Sequence, residues 1–300
     1  MSRSTAIIFV LLSALGFGSI ALFAKTAYAS GVSPSTLLAL RFILAVLMLA
    51  PIVWIKKLPL PRGRTLAGFV LMGCLYTAQA QSYFNALLYS SSGLVGLLLY
   101  LYPVLVTLLA IALGWEKADR RTLVLMTLAC FGLAITLGGK LHGQALGIGL
   151  GLLAAGIYAV YILLGNRLSR NTHPLSASLV ILTTAGCTNA ALAVAGGATL
   201  PGNAIGWLAI GAIALFGTTI AIAAFLSGVK KIGASQASII STLEPVITMT
   251  IGVAMLGESV SPNQLLGGAM VLAAVILLAK RPAQHAAVEP MVEPAERATL

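Results

Sequence analysis

One carboxylate, Glu244, lies deep inside an apolar stretch, eleven residues into a predicted helix near 233–256. Proline follows it, so the carbonyl of Ser241 loses the backbone N–H that would bond to it in a regular helix. Two interpretations remain open. Glu244 binds a substrate amine or a proton, or a protonated Glu244 only donates a hydrogen bond to the freed carbonyl.

Aromatic and polar side chains recur in similar apolar surroundings. Tyr76, Gln79 and Tyr83 follow the spacing i, i+3, i+7 and so share one face of a helix. A stripe that faced lipid would not carry an amide, so this face is predicted to point into the protein. Tyr100 and Tyr102 are two residues apart and so point in roughly opposite directions on a helix. Tyr102 is favoured, because the internal repeat aligns it with Glu244.

The predicted binding set has aromatic walls, a few amides and hydroxyls, and one acid. It consists of Phe17, Tyr76, Gln79, Tyr83, Tyr102, Tyr158, Thr218 and Glu244. Such a set suits a small amphipathic solute through ring stacking and cation–π contact with an amine. The alternative is that the tyrosines only pack between helices or lie at a membrane interface. Arg41 and Lys25 are weaker candidates, since long basic side chains near helix ends commonly extend to the interface.

The sequence lacks the motifs of the common enzyme classes. HExxH, GxSxG and the P-loop GxxxxGK[ST] do not occur. The three cysteines lie in apolar segments without a CxxC pair, and the three histidines fall in predicted loops or the C-terminal tail. We therefore expect no catalytic residues, no metal ion and no cofactor, and we expect the chain not to be an enzyme.

The composition excludes an ordinary soluble domain. Apolar residues make up 59% of the chain and charged residues 8%, whereas soluble proteins carry roughly a quarter charged residues. No charged residue occurs in 65–115 or in 174–229, and each run can hold two membrane-spanning helices of about 20 residues. The alternation typical of barrel strands is absent. We therefore predict an all-α polytopic protein embedded in a lipid bilayer.

Breaks between the apolar stretches predict ten transmembrane helices. They lie near 5–28, 34–55, 65–88, 92–114, 121–138, 144–166, 175–195, 204–229, 233–256 and 261–280. Nearly all lysines and arginines fall in loops on the side of the N-terminus, which predicts that both termini are cytoplasmic. The net charge of +11 is therefore a signal of topology, and we expect no nucleic-acid partner.

The second half of the chain repeats the first at an offset of 140–142 residues. Tyr102-Pro103-Val104 aligns with Glu244-Pro245-Val246, and Glu116 aligns with Glu258. The predicted repeats are 5–138 and 144–280, and each holds five helices. An odd number of helices means that the two copies enter the membrane from opposite sides. Such inverted repeats are typical of secondary transporters, which bind substrate between the halves. Residues 282–300 are predicted to form a disordered cytoplasmic tail.

The motifs that carry the repeat resemble the drug/metabolite transporter superfamily, in its ten-helix branch with two EamA-type halves. They are the segment 83–90 (YFNALLYS), Tyr102-Pro103 with the LGWE at 113–116, and Glu244-Pro245 with the LGE at 256–258. Tyr102 departs from the family pattern, which often has Glu before this proline. The resemblance therefore does not imply a carboxylate from both halves.

The resemblance implies a secondary transporter that exports small metabolites across the bacterial inner membrane by alternating access. The members that this chain resembles most export amino acids, especially aromatic and neutral ones. A passive facilitator or channel, or an exporter of another metabolite or a drug, is the alternative. The sequence shows neither a charged ring nor a filter-like loop of the kind that channels use. The oligomeric state is not predicted.

Overall fold

The computed structural model describes residues 2–114, 119–138, 145–168, 172–232, 237 and 240–279, and these residues form helices and turns without a strand. The predicted all-α fold is confirmed. Glu116, the boundary at residue 144 and the predicted tail at 282–300 lie outside the described residues.

Ten helical segments follow one another, and three of them are interrupted. The helices are α1 (Arg3–Gly18 and Ile20–Ala29), α2 (Pro34–Ile55), α3 (Gly63–Tyr89), α4 (Ser92–Leu99 and Tyr102–Ala112), α5 (Arg120–Gly138), α6 (Ala145–Leu168), α7 (Pro174–Ala195), α8 (Ala204–Ala214, a π-helix Leu215–Ile220 and Ala221–Ile232), α9 (Leu243–Leu256) and α10 (Pro262–Ala279).

Length and apolar composition suit these helices to a membrane. Six of those described, α1, α2, α4, α6, α7 and α8, are long and apolar enough to cross it, and α9 and α10 are shorter apolar helices. Large apolar side chains such as Trp54, Val194 and Leu208 are exposed on the outside of the bundle. Water would disfavour such a surface, whereas hydrocarbon accommodates it.

The helix contacts follow a two-fold pattern. In each half α1 corresponds to α6, α2 to α7, α3 to α8, α4 to α9 and α5 to α10. Three helices of the first half pack on their counterparts in the second half: α2 on α7, α4 on α9 and α5 on α10. α1 also packs on α8, and α3 packs on α6. Exchanging the two halves turns one of these pairs into the other. This pattern is the one expected for repeats related by an in-plane pseudo-two-fold axis.

α4 is broken, and α9 begins after a break, at equivalent positions of the repeat. The second segment of α4 begins at Tyr102, followed by Pro103. A turn at Thr242 separates the helical residues 240 and 241 from α9, which begins two residues before Pro245. Each proline removes the N–H that would bond to the carbonyl four residues earlier. The breaks therefore lie at the centre of the bundle, where α4 and α9 pack on each other.

Glycines allow the closest helix contacts between the halves. A Cβ atom at Gly132 of α5 would lie 2.7 Å from the backbone oxygen of Gly267 in α10, and a Cβ atom at Gly267 would overlap Gly132 and Thr136. A backbone neighbour cannot yield as a flexible side chain can. The α5–α10 pair therefore depends on both glycines.

We predict that Gly267→Ala lowers the thermal unfolding temperature of the purified protein. The added methyl group forces α5 and α10 apart, and overpacking of this kind typically costs about 1–3 kcal/mol. Gly149→Ala in α6 is the matched control, because nothing lies within 4 Å of its added Cβ. Equal unfolding temperatures for the two variants in detergent would contradict the described α5–α10 contact.

Candidate functional site

A cavity of about 360 Å³ lies between the two halves. Residues of eight helices form its wall, and of the described helices only α5 and α10 contribute none. The wall extends along much of the bundle. Ser178 lies four residues from the start of α7, at the end that carries most of the basic loops, and Gly96 lies four residues from the start of α4, at the opposite end. The volume falls at the lower end of the range typical of small-molecule sites, about 300–1,000 Å³.

The structure brings most of the predicted site residues together. Seven of the eight line this one cavity: Phe17, Tyr76, Gln79, Tyr83, Tyr102, Tyr158 and Glu244. Thr218 does not lie on its wall. The substrate-binding role of all eight stays a prediction, but the sequence pattern did select seven residues that converge from five different helices on one space.

Tyrosine rings form a continuous row along the cavity. Tyr102 meets Tyr158 edge to face with ring centroids 4.7 Å apart, and Tyr158 stacks on Tyr161 at 5.8 Å. Tyr161 in turn lies 5.8 Å from Tyr76. Such rings present flat apolar surface together with hydroxyl groups, which suits a solute that has an apolar body and a polar end.

Tyr100 also lines the cavity, and the sequence argument against it was wrong. That argument assumed one regular helix, on which positions 100 and 102 would point apart. In the structure α4 ends at Leu99 and restarts at Tyr102, so the helical spacing does not apply between them. The two rings lie 6.1 Å apart at their centroids. The signal that could have revealed this is Pro103, which breaks the helix at this point.

The carbonyl freed by Pro245 has a partner other than Glu244. The hydroxyl of Tyr100 donates a hydrogen bond to the backbone oxygen of Ser241. Glu244 lies beside this tyrosine on the cavity wall. The need for a donor at the freed carbonyl therefore gives no reason to assign that role to Glu244.

Arg41 projects from α2 to the cavity wall and is 3% exposed. Its Nε donates to the hydroxyl of Thr218 at 2.8 Å, and Nη2 donates to the carbonyl of Gly217 at 3.3 Å. Its guanidinium also lies 5.4 Å from the ring centroid of Phe84. Thr218, predicted to bind substrate, thus binds Arg41 instead, because the π-helix turns its hydroxyl toward α2.

Lys25 joins the two halves at the end of the bundle opposite the basic loops. Its Nζ lies 2.6 Å from Oε1 of Glu258, in the α9–α10 loop. The same carboxylate accepts hydrogen bonds from the backbone N–H of Ser92 at 2.9 Å and from the Ser92 hydroxyl at 2.6 Å. Lys25 therefore does not extend into the interface. We call these three residues the Lys25–Ser92–Glu258 cluster.

The cluster favours the ionised form of Glu258. Burial by itself raises the pKa of Glu258, but hydrogen bonds from Lys25 and Ser92 and the charge of Lys25 outweigh it and hold the pKa below its ordinary value. Ser92 is the first residue of α4, so the carboxylate also lies at a helix N-terminus, where the helix dipole attracts negative charge. The ionised carboxylate thereby fixes the first segment of α4 to the loop after α9.

The described residues contain no group of three or more His, Cys, Asp or Glu that could hold a metal ion. The polar chemistry of the cavity consists of one base, one acid, an amide and the hydroxyl groups of tyrosine, serine and threonine. Such a set can bind a charged and amphipathic molecule. It does not bring together a nucleophile, a base and an orienting group of the kind that hydrolytic enzymes use.

Comparison with known proteins gives the same architecture. The model of the EamA-like transporter family matches residues 4–138 and 145–280. An uncharacterized transporter of Archaeoglobus fulgidus is 27% identical, with 89% of this chain and 94% of the relative covered. The uncharacterized inner membrane transporter YedA of Escherichia coli is 25% identical, with 82% and 81% covered. A crystal structure with 19% identity has a TM-score of 0.66 and covers 93% of this chain and 97% of its own.

The cluster generates a prediction about stability and pH. Because the pKa of Glu258 is lowered on folding, its contribution is fully present above the ordinary carboxyl value of about 4.3. The contribution is lost as the pH falls through the lower folded-state pKa. We predict that Glu258→Gln lowers the unfolding temperature near neutral pH and weakens its dependence on pH in the acid range. Differential scanning fluorimetry checks both effects.

Lys25→Met provides the companion variant, since it removes the positive partner and should produce the same two changes. If both variants unfold at the same temperature as the parent protein at every pH, the cluster contributes nothing to the stability of the folded state.

Proposed function

This chain belongs to the EamA-like transporter family, and we propose that it is a secondary transporter that exports amino acids, chiefly aromatic and neutral ones, across the bacterial inner membrane. The observation that carries the proposal is the cavity between the halves, with its row of tyrosines and its single acid. The motif resemblance to the aromatic and neutral amino-acid exporter YddG supports the same class of solute. The named relatives are called transporters without a stated solute.

The chemistry of the cavity wall supports an amphipathic amine as the solute. The faces of Tyr102 and Tyr158 offer stacking surface for an apolar or aromatic side chain. Glu244 supplies a negative group for an ammonium, and the tyrosine rings add cation–π attraction. A fully apolar solute would leave Glu244 and Gln79 without polar partners in the membrane, which disfavours it.

The orientation that we propose places both termini in the cytoplasm. The loops at Lys56, Arg62 and Arg120 carry the positive charges that remain on the cytoplasmic side. Export requires that the solute enter the cavity from this side.

Alternating access requires a second state in which the opposite end opens. The Lys25–Ser92–Glu258 cluster joins the halves at that end, so opening requires its contacts to separate. The repeat supplies a route, because inverted halves can exchange their conformations about the pseudo-two-fold axis. The breaks in α4 and α9 supply segments that can tilt without the unfolding of a whole helix.

We predict that purified protein in liposomes takes up aromatic amino acids and that Tyr83→Ala or Tyr102→Ala weakens this uptake. Loss of an aromatic pair is worth about 0.5–1.5 kcal/mol, or up to roughly tenfold in affinity. Uptake of alanine should change little, since its side chain has no ring to stack. Phe131→Ala is the control, because Phe131 is 60% exposed on the outside of the bundle.

Three results would contradict the proposal in different ways. A parent protein that moves no amino acid refutes the proposed solute. Equal losses for phenylalanine and alanine indicate that the tyrosines only pack between helices. A parent protein that equilibrates its solute but never accumulates it under a pH gradient is a facilitator.

A further inference from the structure

We propose that Arg41 is the residue that binds a carboxylate group of the transported solute. The inference rests on the proposed function, because it specifies how the same cavity recognises its ligand. The proposed function names amino acids as the solute but assigns no residue to their carboxylate. The surroundings of Arg41 assign that role to its guanidinium.

The charge of Arg41 has no counter-ion in the described structure. No carboxylate of the described residues lies within 4 Å of the guanidinium. Its partners are a hydroxyl and a backbone carbonyl, neither of which neutralises a positive charge. An arginine is effectively always protonated. An unpaired charge buried within a membrane span is costly, and such residues typically mark substrate pathways.

The guanidinium has donors left for a ligand. It carries five N–H groups, of which two bond to Thr218 and Gly217. The described residues offer the other three no acceptor within hydrogen-bond distance, and Arg41 forms part of the cavity wall. A carboxylate presents two oxygens to such a fork and can accept two parallel hydrogen bonds.

The π-helix in α8 holds Arg41 in place. The Thr218 hydroxyl donates its own proton to the carbonyl of Ile213 at 3.0 Å, so a lone pair remains for the Nε of Arg41. The wide turn also leaves the carbonyl of Gly217 directed at Nη2. Single π-helical turns occur frequently at functional sites. This turn fixes two of the guanidinium donors and so orients the others before a ligand binds.

Arg41 and Glu244 together fit both ends of a zwitterion. Both lie on the wall of the cavity, with Tyr83 on the same wall. A solute with an ammonium and a carboxylate would place a partner beside each of these two groups. Arg41 disfavours simple amines, because they would leave its charge unpaired.

The test compares L-phenylalanine with L-phenylalaninamide, which keeps the amine and the ring but replaces the carboxylate. At about pH 6 both amines are protonated. We expect the parent protein to bind phenylalanine at least about tenfold more tightly than the amide, measured by ligand-induced thermal stabilisation and by competition for uptake. Arg41→Gln should abolish this preference while it leaves binding of the amide unchanged. Arg62→Gln, which removes an exposed loop charge, should keep the preference.

Each outcome decides the question. A parent protein without a preference for the acid, or an Arg41→Gln variant that retains it, overturns the proposal, as does equal weakening of both ligands. If Arg41→Gln does not fold, Thr218→Val keeps the charge and removes its anchor, and the preference must then shrink. Failure of the proposed function differs: 3-phenylpropionate would bind in an Arg41-dependent manner while no amino acid is transported.

Discussion

The hydrogen bond from the Tyr100 hydroxyl to the carbonyl of Ser241 joins two proline breaks, one from each half of the protein. Hydrocarbon offers no water to a backbone group that a proline leaves without its partner, so the break in α9 needs a donor from the protein itself. Tyr100 supplies it from the break in α4. Because this need is met, α9 can begin at Leu243 and carry Glu244 on the cavity wall.

Lys25, Arg41 and Glu244 are ionisable residues inside the bundle, and their surroundings differ. The difference distinguishes a structural role from a functional one. Lys25 reaches the carboxylate of Glu258 and the backbone carbonyl of Ser90, so its charge is neutralised in the contact between the halves. Arg41 and Glu244 face the cavity, and Arg41 has only neutral partners among the described residues. Charges that the protein leaves unneutralised beside a cavity of solute size are available to neutralise those of a ligand.

The helices themselves could be predicted from the sequence, because a membrane span needs a minimum apolar length and the loop residues are distinctive. The predicted 34–55 and 175–195 agree closely with Pro34–Ile55 and Pro174–Ala195. The repeat also predicted that substrate binds between the two halves, and a cavity lies there. Interruptions without a proline, at Ser19 and in the π-helix, were not predictable, since they depend on how α1 packs against α8 and α9.

Side-chain roles were harder to predict than positions. Spacing placed Tyr76, Gln79 and Tyr83 on one face, and all three line the cavity. The same rule excluded Tyr100, because it assumed a continuous helix. The partners of Lys25 and Thr218 lie 233 and 177 residues away along the chain, and only the tertiary fold brings them into contact. Without those contacts, snorkelling for Lys25 and substrate binding for Thr218 were reasonable expectations.

The central claim is that one cavity serves both sides of the membrane in turn, so that the Lys25–Ser92–Glu258 cluster must separate in every cycle. It can be measured by placing cysteines at positions 25 and 258 after replacement of the exposed Cys74, Cys130 and Cys187. A short, membrane-impermeant thiol cross-linker is then added from outside. The account predicts that cross-linking stops transport and that reduction restores it. It also predicts that the cross-linker leaves transport unchanged in a variant with only one of the two cysteines. Transport that continues at the same rate in the fully cross-linked protein would contradict it.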